Sequence, residues 1–382
     1  MYFDYLATTP PDPRVLDAMR PYWEGRFGNP HADAHIYGLD AKEAVEEARA
    51  KLARLLPGAR GEWTFTSGAT EANNLVLKGL ADLAPAGRTR ILVSAIEHPS
   101  VLETARFLRG RGFTVDELPV NNDGALDVDA FTSRLGEDVL LASVMWANNE
   151  TGVIQPVEAA ARLCRERGIL FHTDATQAAG KIPLETVPDF LSLSAHKLYG
   201  PKGIGALYVG PGLRSRLGVQ IHGGGQQDGL RSGTVAVPLT VGLGAAVDAA
   251  LAGMTEEARR LQDIRNRFEE GLRASFPDLR VNGEPSPRLS HVSHFQIPGV
   301  PMADLMAALP EIAVARGSAC STGGEEISHV MAAMRMEFFA HECLRVSFGR
   351  PTTQADAEAL LASVAETAAA IRDQAGFSAQ KK

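Results

Sequence analysis

The chain has 382 residues, of which 45% are hydrophobic and 22% charged, a balance typical of a globular protein with a substantial core. At roughly 100–200 residues per domain, this length predicts two or three domains. The net charge of −8 and the lack of a basic stripe argue against a nucleic-acid partner. No apolar run reaches the ~20 residues of a membrane helix and no signal-peptide pattern is present, so we expect a cytoplasmic protein without a membrane partner.

The three cysteines are Cys164, Cys320 and Cys343. Their number and spacing match neither a disulfide framework nor a C-x-x-C zinc motif, so we expect reduced thiols and no metal site. Any of the three thiols could then react.

Between residues 62 and 209, short apolar and β-branched runs alternate with helical patterns. The predicted strands are 63–66, 91–94, 113–115, 139–145, 168–173, 190–194 and 206–209. The predicted helices between them include 71–80, 100–109 and 156–167. Such alternation predicts a mostly parallel sheet covered on both faces, which is a three-layer α/β domain.

The pattern changes after residue 238. A long helix is predicted at 241–276, followed by strands at 291–295 and 344–348 and helices at 303–309 and 354–373. We therefore predict a large α/β domain at 13–254. A smaller α+β domain, made of residues 1–12 and 255–382, would carry Cys320.

Lys197 lies just after the apolar strand predicted at 190–194. A lysine is costly to bury, and desolvation would lower its pKa and make the amine a nucleophile toward carbonyls. Such an amine can form a Schiff base. A surface lysine just past a strand end is the alternative.

Other polar residues follow predicted strands, where ligands of open α/β sheets bind. The small residues at 66–71 open a helix whose N–H groups could bind a phosphate, although an ordinary helix cap explains them equally. His98 could stack on a flat cofactor, or it is a loop histidine. Asp174 could pair with a protonated ring nitrogen that Gln177 also reaches, or it caps a helix. Asn149 could lie in an ordinary turn.

Together, a Schiff-base lysine, a strand-end carboxylate, a stacking histidine and an anion-binding turn describe a pyridoxal 5′-phosphate (PLP) site. Four motifs resemble those of class V aminotransferase-type PLP enzymes, namely Ser-Gly-Ala-Thr-Glu at 67–71, Glu-His at 97–98, Asp-Ala-Thr-Gln at 174–177 and Ser-Ala-His-Lys at 194–197. More narrowly, the chain is similar to cysteine desulfurases of the IscS/NifS kind, with further matches from 4–10 to 345–350. The resemblance implies the fold type I of PLP-dependent transferases (that of aspartate aminotransferase) and a homodimer.

The resemblance also implies a role for each site residue. Lys197 would bind PLP as a Schiff base, Asp174 would pair with the pyridinium, and Gln177 would contact the ring hydroxyl. His98 would stack on the ring and shuttle protons. The phosphate would be held by Ala69, Thr70, Ser194 and His196, and the phosphate in the partner subunit would be contacted by Thr234. Asn149 would contact the cofactor and the substrate, and Arg345 would bind the substrate carboxylate.

Cys320 narrows the implied activity to a cysteine desulfurase. The small residues around it predict an exposed loop, and Gly-Ser-Ala-Cys at 317–320 resembles the persulfide loop of that family. The implied reaction moves sulfur from L-cysteine to Cys320 and releases L-alanine. The persulfide would then pass to an acceptor such as an iron–sulfur scaffold or a tRNA-thiolation relay. Cys164 and Cys343 better fit small buried hydrophobes.

The sequence departs from the family pattern at Leu6, at Asp33, in 323–329 and in 334–336. The last two segments follow Cys320, so the acceptor cannot be assigned from the sequence. A selenocysteine lyase, or another class V lyase or aminotransferase, would use the same PLP residues. A non-catalytic sulfur-relay scaffold is the second alternative, and it predicts little bound PLP.

Overall fold

The larger part of the fold is built on a seven-stranded sheet of order β1-β7-β6-β5-β4-β2-β3. The computed structural model describes residues 1–317 and 327–376. The strands are β1 (Glu62–Thr66), β2 (Arg90–Ser94), β3 (Thr114–Leu118), β4 (Val139–Ser143), β5 (Leu170–Asp174), β6 (Phe190–Ser194) and β7 (Gly205–Val209). β7 runs antiparallel to its two neighbours, β1 and β6, and all other neighbouring strands of this sheet pair in parallel. The predicted, mostly parallel sheet is therefore confirmed.

Helices cover both faces of this sheet. They are α1 (Pro13–Glu24), α2 (Ile36–Ala53), α3 (Ala69–Asp82), α4 (Pro99–Arg109), α5 (Val128–Arg134), α6 (Val157–Glu166) and α7 (Val237–Ser275). Neighbouring strand residues face opposite sides, so Leu92 packs into the core under α1, α2 and α6, whereas Ile91 and Val93 pack into the core under α3 and α4. Two cores separated by one sheet make the three layers that the alternation predicts.

Helices α1, α2 and α5 were not predicted from the sequence. The buried face of α2 includes three alanines, Ala41, Ala44 and Ala48. The hydropathy of alanine differs little from that of polar residues, so the helical periodicity of apolar residues is weak in this segment. The long helix predicted at 241–276 exists and begins four residues earlier, at Val237.

A smaller three-stranded antiparallel sheet has the order β10-β9-β8. Its strands and helices are β8 (Arg280–Val281), β9 (Val292–Gln296), α8 (Met302–Ala308), α9 (His329–Ala333), β10 (Cys343–Ser347) and α10 (Gln354–Gln374). The N-terminal residues join this sheet, because Asp4 forms a β-bridge with Ser347. This arrangement agrees with the α+β pattern predicted for the second half of the chain.

Helix α7 contributes to both parts of the fold. Leu243 and Val247 lie in the core of the larger sheet, whereas Ile264 and Phe268 lie in the core of the smaller one. The predicted domain boundary after residue 254 thus falls inside a continuous helix, and the domain limits stay a prediction. In the described chain, α7 alone has the length and hydropathy of a membrane span. The buried apolar residues of α7, such as Leu243 and Phe268, pack inside these two cores.

Candidate active site

A cavity of about 500 Å³ lies at the carboxyl edge of the larger sheet. It is lined by ten of the residues predicted from the sequence, namely Ala69, Thr70, His98, Asn149, Asp174, Gln177, Ser194, His196, Lys197 and Arg345. Thr234 is exposed and does not line this cavity. Cys320 lies outside the described residues.

Lys197 ends a 3₁₀ turn, Ala195–Lys197, that directly follows the fully buried strand β6. Its Nζ lines the cavity and donates hydrogen bonds of 2.6 Å to the backbone carbonyls of Leu6 and Ala7. The side chain is half-buried, so Lys197 is not the ordinary surface lysine that the sequence left open. The N-terminal stretch holds this amine at the cavity.

Asp174 is the last residue of β5, and its side chain is only 5% exposed. One carboxylate oxygen accepts from the backbone N–H of Thr176 over 2.9 Å, and the other accepts from Asn73 Nδ2 over 2.8 Å. No lysine or arginine within residues 1–317 and 327–376 forms a salt bridge with it. Because a buried carboxylate is costly without a cation, this environment suits a protonated ring nitrogen.

His98 is the N-cap of α4, and its Nδ1 accepts from the backbone N–H of Ser100 over 3.1 Å. Burial lowers the pKa of His98, while the charge of Asp174 opposes the shift. The ring is therefore mainly neutral at neutral pH and is able to accept a proton. Next to it, burial raises the pKa of Glu97 to about 8, although Ser94 and Met145 donate to its carboxylate.

The N-terminus of α3 opens into the cavity at Gly68, Ala69 and Thr70, without a side-chain cap. Ser194 and His196 line the same cavity. Burial, together with nearby lysine charges, lowers the pKa of His196 to about 4, so the ring is neutral and serves as a hydrogen-bonding group. Uncapped N–H groups at the start of a 14-residue helix favour an anion such as phosphate.

Arg345 lies in the middle of β10 and is 1% exposed. Its Nη2 donates to Asp4 over 2.6 Å and its Nη1 donates to the carbonyl of Asn149 over 2.7 Å. Its Nε is buried and has no hydrogen-bond partner among the described residues. These two hydrogen bonds fix the orientation of the guanidinium, and Arg345 lines the cavity.

Several groups that contact site residues were missed by sequence reasoning. Besides the carbonyls of Leu6 and Ala7, they include Asn73, which touches Asp174 from helix α3. Backbone carbonyls carry no side-chain signature. The one available signal was the match to the family at 4–10, which indicated that the N-terminal stretch belongs to the site.

Comparison with known proteins gives concordant results. The family model for aminotransferase class V matches residues 1–360. Cysteine desulfurase IscS of Rickettsia felis is 40% identical over 362 residues, which are 94% of this chain and 88% of that protein. A solved NifS-like protein superposes with a TM-score of 0.88 at 34% identity, covering 96% of this chain and 98% of its own. SspA in complex with cysteine gives a TM-score of 0.79 at 36% identity, with coverages of 91% and 98%.

Proposed function

Because the chain belongs to the aminotransferase class V family and is a cysteine desulfurase like its relatives, we propose that this cavity removes sulfur from L-cysteine with bound PLP. Family membership confirms the fold expected from the four motifs. The observation that carries the proposal is that Lys197, Asp174 and His98 line one cavity, into which the N-terminus of α3 opens. A solved relative of the same fold is in complex with cysteine.

The residues present fit PLP. Lys197 would bind its aldehyde carbon, Asp174 its ring nitrogen and Gln177 its hydroxyl, while His98 would stack on the ring. Ala69, Thr70, Ser194 and His196 would hold its phosphate, and Asn149 would lie beside cofactor and substrate. When bound, PLP supplies an electron sink for charge that develops on the substrate carbon.

The other steps of the reaction are carried out by side chains of the protein. Arg345 binds and orients the substrate carboxylate, Lys197 removes the Cα proton, and the neutral imidazole of His98 moves a proton between substrate and site. The Cys320 thiolate attacks the substrate sulfur, so an S–S bond forms as the Cβ–S bond breaks. The electron pair of the broken bond remains with carbon, which is protonated to give L-alanine. Cys320 is left as a persulfide.

Two further features belong to the proposal. Thr234 is exposed near the start of α7, where it could reach the phosphate in the partner subunit of a homodimer. The persulfide would pass to an acceptor protein, such as an iron–sulfur scaffold or a tRNA-thiolation relay, in the cytoplasm.

Mass spectrometry of each cysteine peptide after incubation with L-cysteine tests the proposal. Cys164 and Cys343 are internal controls, because burial raises the pKa of each thiol to about 12 and keeps it unreactive. We expect one added sulfur on Cys320 and none on the other two. Cys320→Ser should keep the absorbance of bound PLP and lose sulfide release. An unmodified Cys320 during turnover would contradict the mechanism.

A further inference from the structure

Glu150 is a buried carboxylate for which the proposed chemistry has no use. It directly follows Asn149 and is 1% exposed. Its Oε2 accepts a hydrogen bond from the hydroxyl of Ser328 over 2.6 Å. Its Oε1 is also buried and has no hydrogen-bond partner within the described part of the chain. A carboxylate kept in such a place needs a reason, because burial of an incompletely paired charge is costly.

A second segment packs against the same carboxylate. A Cβ at Gly317 would lie 3.3 Å from Oε2 of Glu150, so the Gly317 backbone passes directly beside the charge. Gly317 precedes Cys320 in the sequence, and Ser328 follows it. One buried carboxylate therefore accepts a hydrogen bond from Ser328 and lies close to the backbone at Gly317, on either side of Cys320 in the sequence.

The neighbouring residues tie these two segments to the wall of the cavity. Ala315 exchanges backbone hydrogen bonds of 2.6 and 3.2 Å with Arg345, whose Nη1 donates to the carbonyl of Asn149. On the other side, His329 Nε2 lies 2.9 Å from the carbonyl of Glu97, next to His98. Each segment is thus attached beside a residue that lines the site.

We propose that Glu150 is a positioning residue for sulfur transfer, which keeps the chain at Gly317 and at Ser328, on either side of Cys320 in the sequence, beside Asn149. The inference rests on the proposed function. Cys320 is three residues from Gly317 and eight from Ser328 in the sequence. Loss of the contacts that Glu150 makes beside Asn149 lowers the effective concentration of the thiol at the substrate sulfur.

The test separates sulfur transfer from the earlier steps, using the PLP-loaded enzyme in a single turnover with L-cysteine. The absorbance change of bound PLP reports substrate binding, and quenched mass spectrometry reports persulfide on Cys320. For Glu150→Ala we expect persulfide formation to slow about tenfold, the size of one charge-assisted hydrogen bond, with the absorbance change within about twofold of wild type. Glu150→Gln keeps an oxygen that can accept from Ser328, so its loss should stay within about threefold.

Ser328 needs a matched pair of variants, because its hydroxyl also caps α9 through the N–H groups of Val330 and Met331. Ser328→Ala removes both contacts. Ser328→Asp keeps a capping acceptor but places a second carboxylate against Glu150. We expect both variants to transfer sulfur as slowly as Glu150→Ala, while hydrogen exchange of the first turn of α9 stays protected only in Ser328→Asp. Adding Glu150→Ala to Ser328→Ala should cause no further loss.

Three outcomes would overturn the inference: persulfide formation at the wild-type rate in Glu150→Ala, an equal slowing of the absorbance change, or full activity in Ser328→Asp. The second outcome would mean that Glu150 only supports the turn after β4, where its N–H donates to Asn148. If wild-type Cys320 gains no sulfur at all, the proposed function itself fails.

Discussion

Lys181 donates a hydrogen bond from Nζ to the backbone carbonyl of Lys197 over 2.9 Å. The same ammonium lies 5.3 Å from the ring centroid of Tyr199, and the guanidinium of Arg350 lies 4.2 Å from that centroid. Tyr199 adopts a positive φ of 61°, and its N–H donates to Thr9 Oγ1. A second, half-buried lysine thus supports the turn that places Lys197 at the cavity.

Lys181→Met should remove a pH dependence of stability. Burial lowers the pKa of Lys181 from 10.5 to about 8, while Glu257 opposes the shift and Arg350 adds to it. Between these values the unfolded chain binds more protons, so the contribution of Lys181 to the free energy of unfolding rises with pH. Urea unfolding at pH 8 and pH 10 measures that rise in the wild type and the variant. Equal pH slopes in the two proteins would contradict the assignment.

Lys197→Ala should abolish covalent binding of PLP. The matched control is Lys202→Ala, because Lys202 lines the same cavity but does not follow β6 directly. Borohydride reduction followed by peptide mass spectrometry should find PLP on residue 197 of the wild type and of Lys202→Ala, and no adduct in Lys197→Ala. An adduct on Lys202 in the wild type would show that Lys197 is not the lysine that forms the Schiff base.

Asn73→Ala should weaken PLP retention and lower stability. Asn73 Nδ2 lies 2.8 Å from both Asp174 and Ser100, so its loss leaves the buried carboxylate with one donor fewer. We expect the free energy of unfolding to fall by about 1–3 kcal/mol and PLP to dissociate several-fold faster on dialysis. Asn74→Ala is the control, because Asn74 is only partly buried and its side-chain amide donates to the backbone carbonyl of Thr70 rather than to Asp174. A similar loss of PLP from both variants would argue against a specific role for Asn73.

The protein should lose stability as the pH falls below about 6.5. Burial lowers the pKa of His172 to about 4 and that of His294 to about 3, so between pH 6.5 and those values the unfolded chain binds more protons. Glu97 opposes this trend, since its raised pKa of about 8 stabilises the fold toward low pH. Denaturant unfolding at pH 7 and pH 5 should show a net loss, and His294→Asn should flatten it. A wild type that gains stability at pH 5 would show that Glu97 dominates.

Arg345→Lys should raise the KM for L-cysteine. Lysine keeps the charge but loses the planar fork, which at present is oriented by Asp4 and by the carbonyl of Asn149. We expect KM to increase at least about tenfold, the cost of roughly one charge-assisted hydrogen bond, while the absorbance of bound PLP stays unchanged. Alanine formation at varied L-cysteine concentration gives KM and kcat separately. An unchanged KM would place the substrate carboxylate elsewhere.

Much of this site could be predicted because its residues follow strands. Asp174 and Ser194 end strands, and Lys197 and His98 lie just beyond them; parallel strands bring such positions to one edge of the sheet. Asn73 could not be assigned in this way, since a polar residue inside a helical pattern does not reveal which distant side chain it meets. The same limit applied to Lys181, whose partner is a backbone carbonyl.

The sequence alone determined the class of fold, the strand-end residues of the site and the identity of the thiol proposed to receive sulfur, because these depend on local patterns and motifs. Only the tertiary structure decided which groups hold those residues in place. The carbonyls of Leu6 and Ala7 meet Lys197 across 190 residues or more of chain, and Glu150 meets Ser328 across 178. Contacts of this kind arise from packing of the whole chain, which no local stretch of sequence specifies.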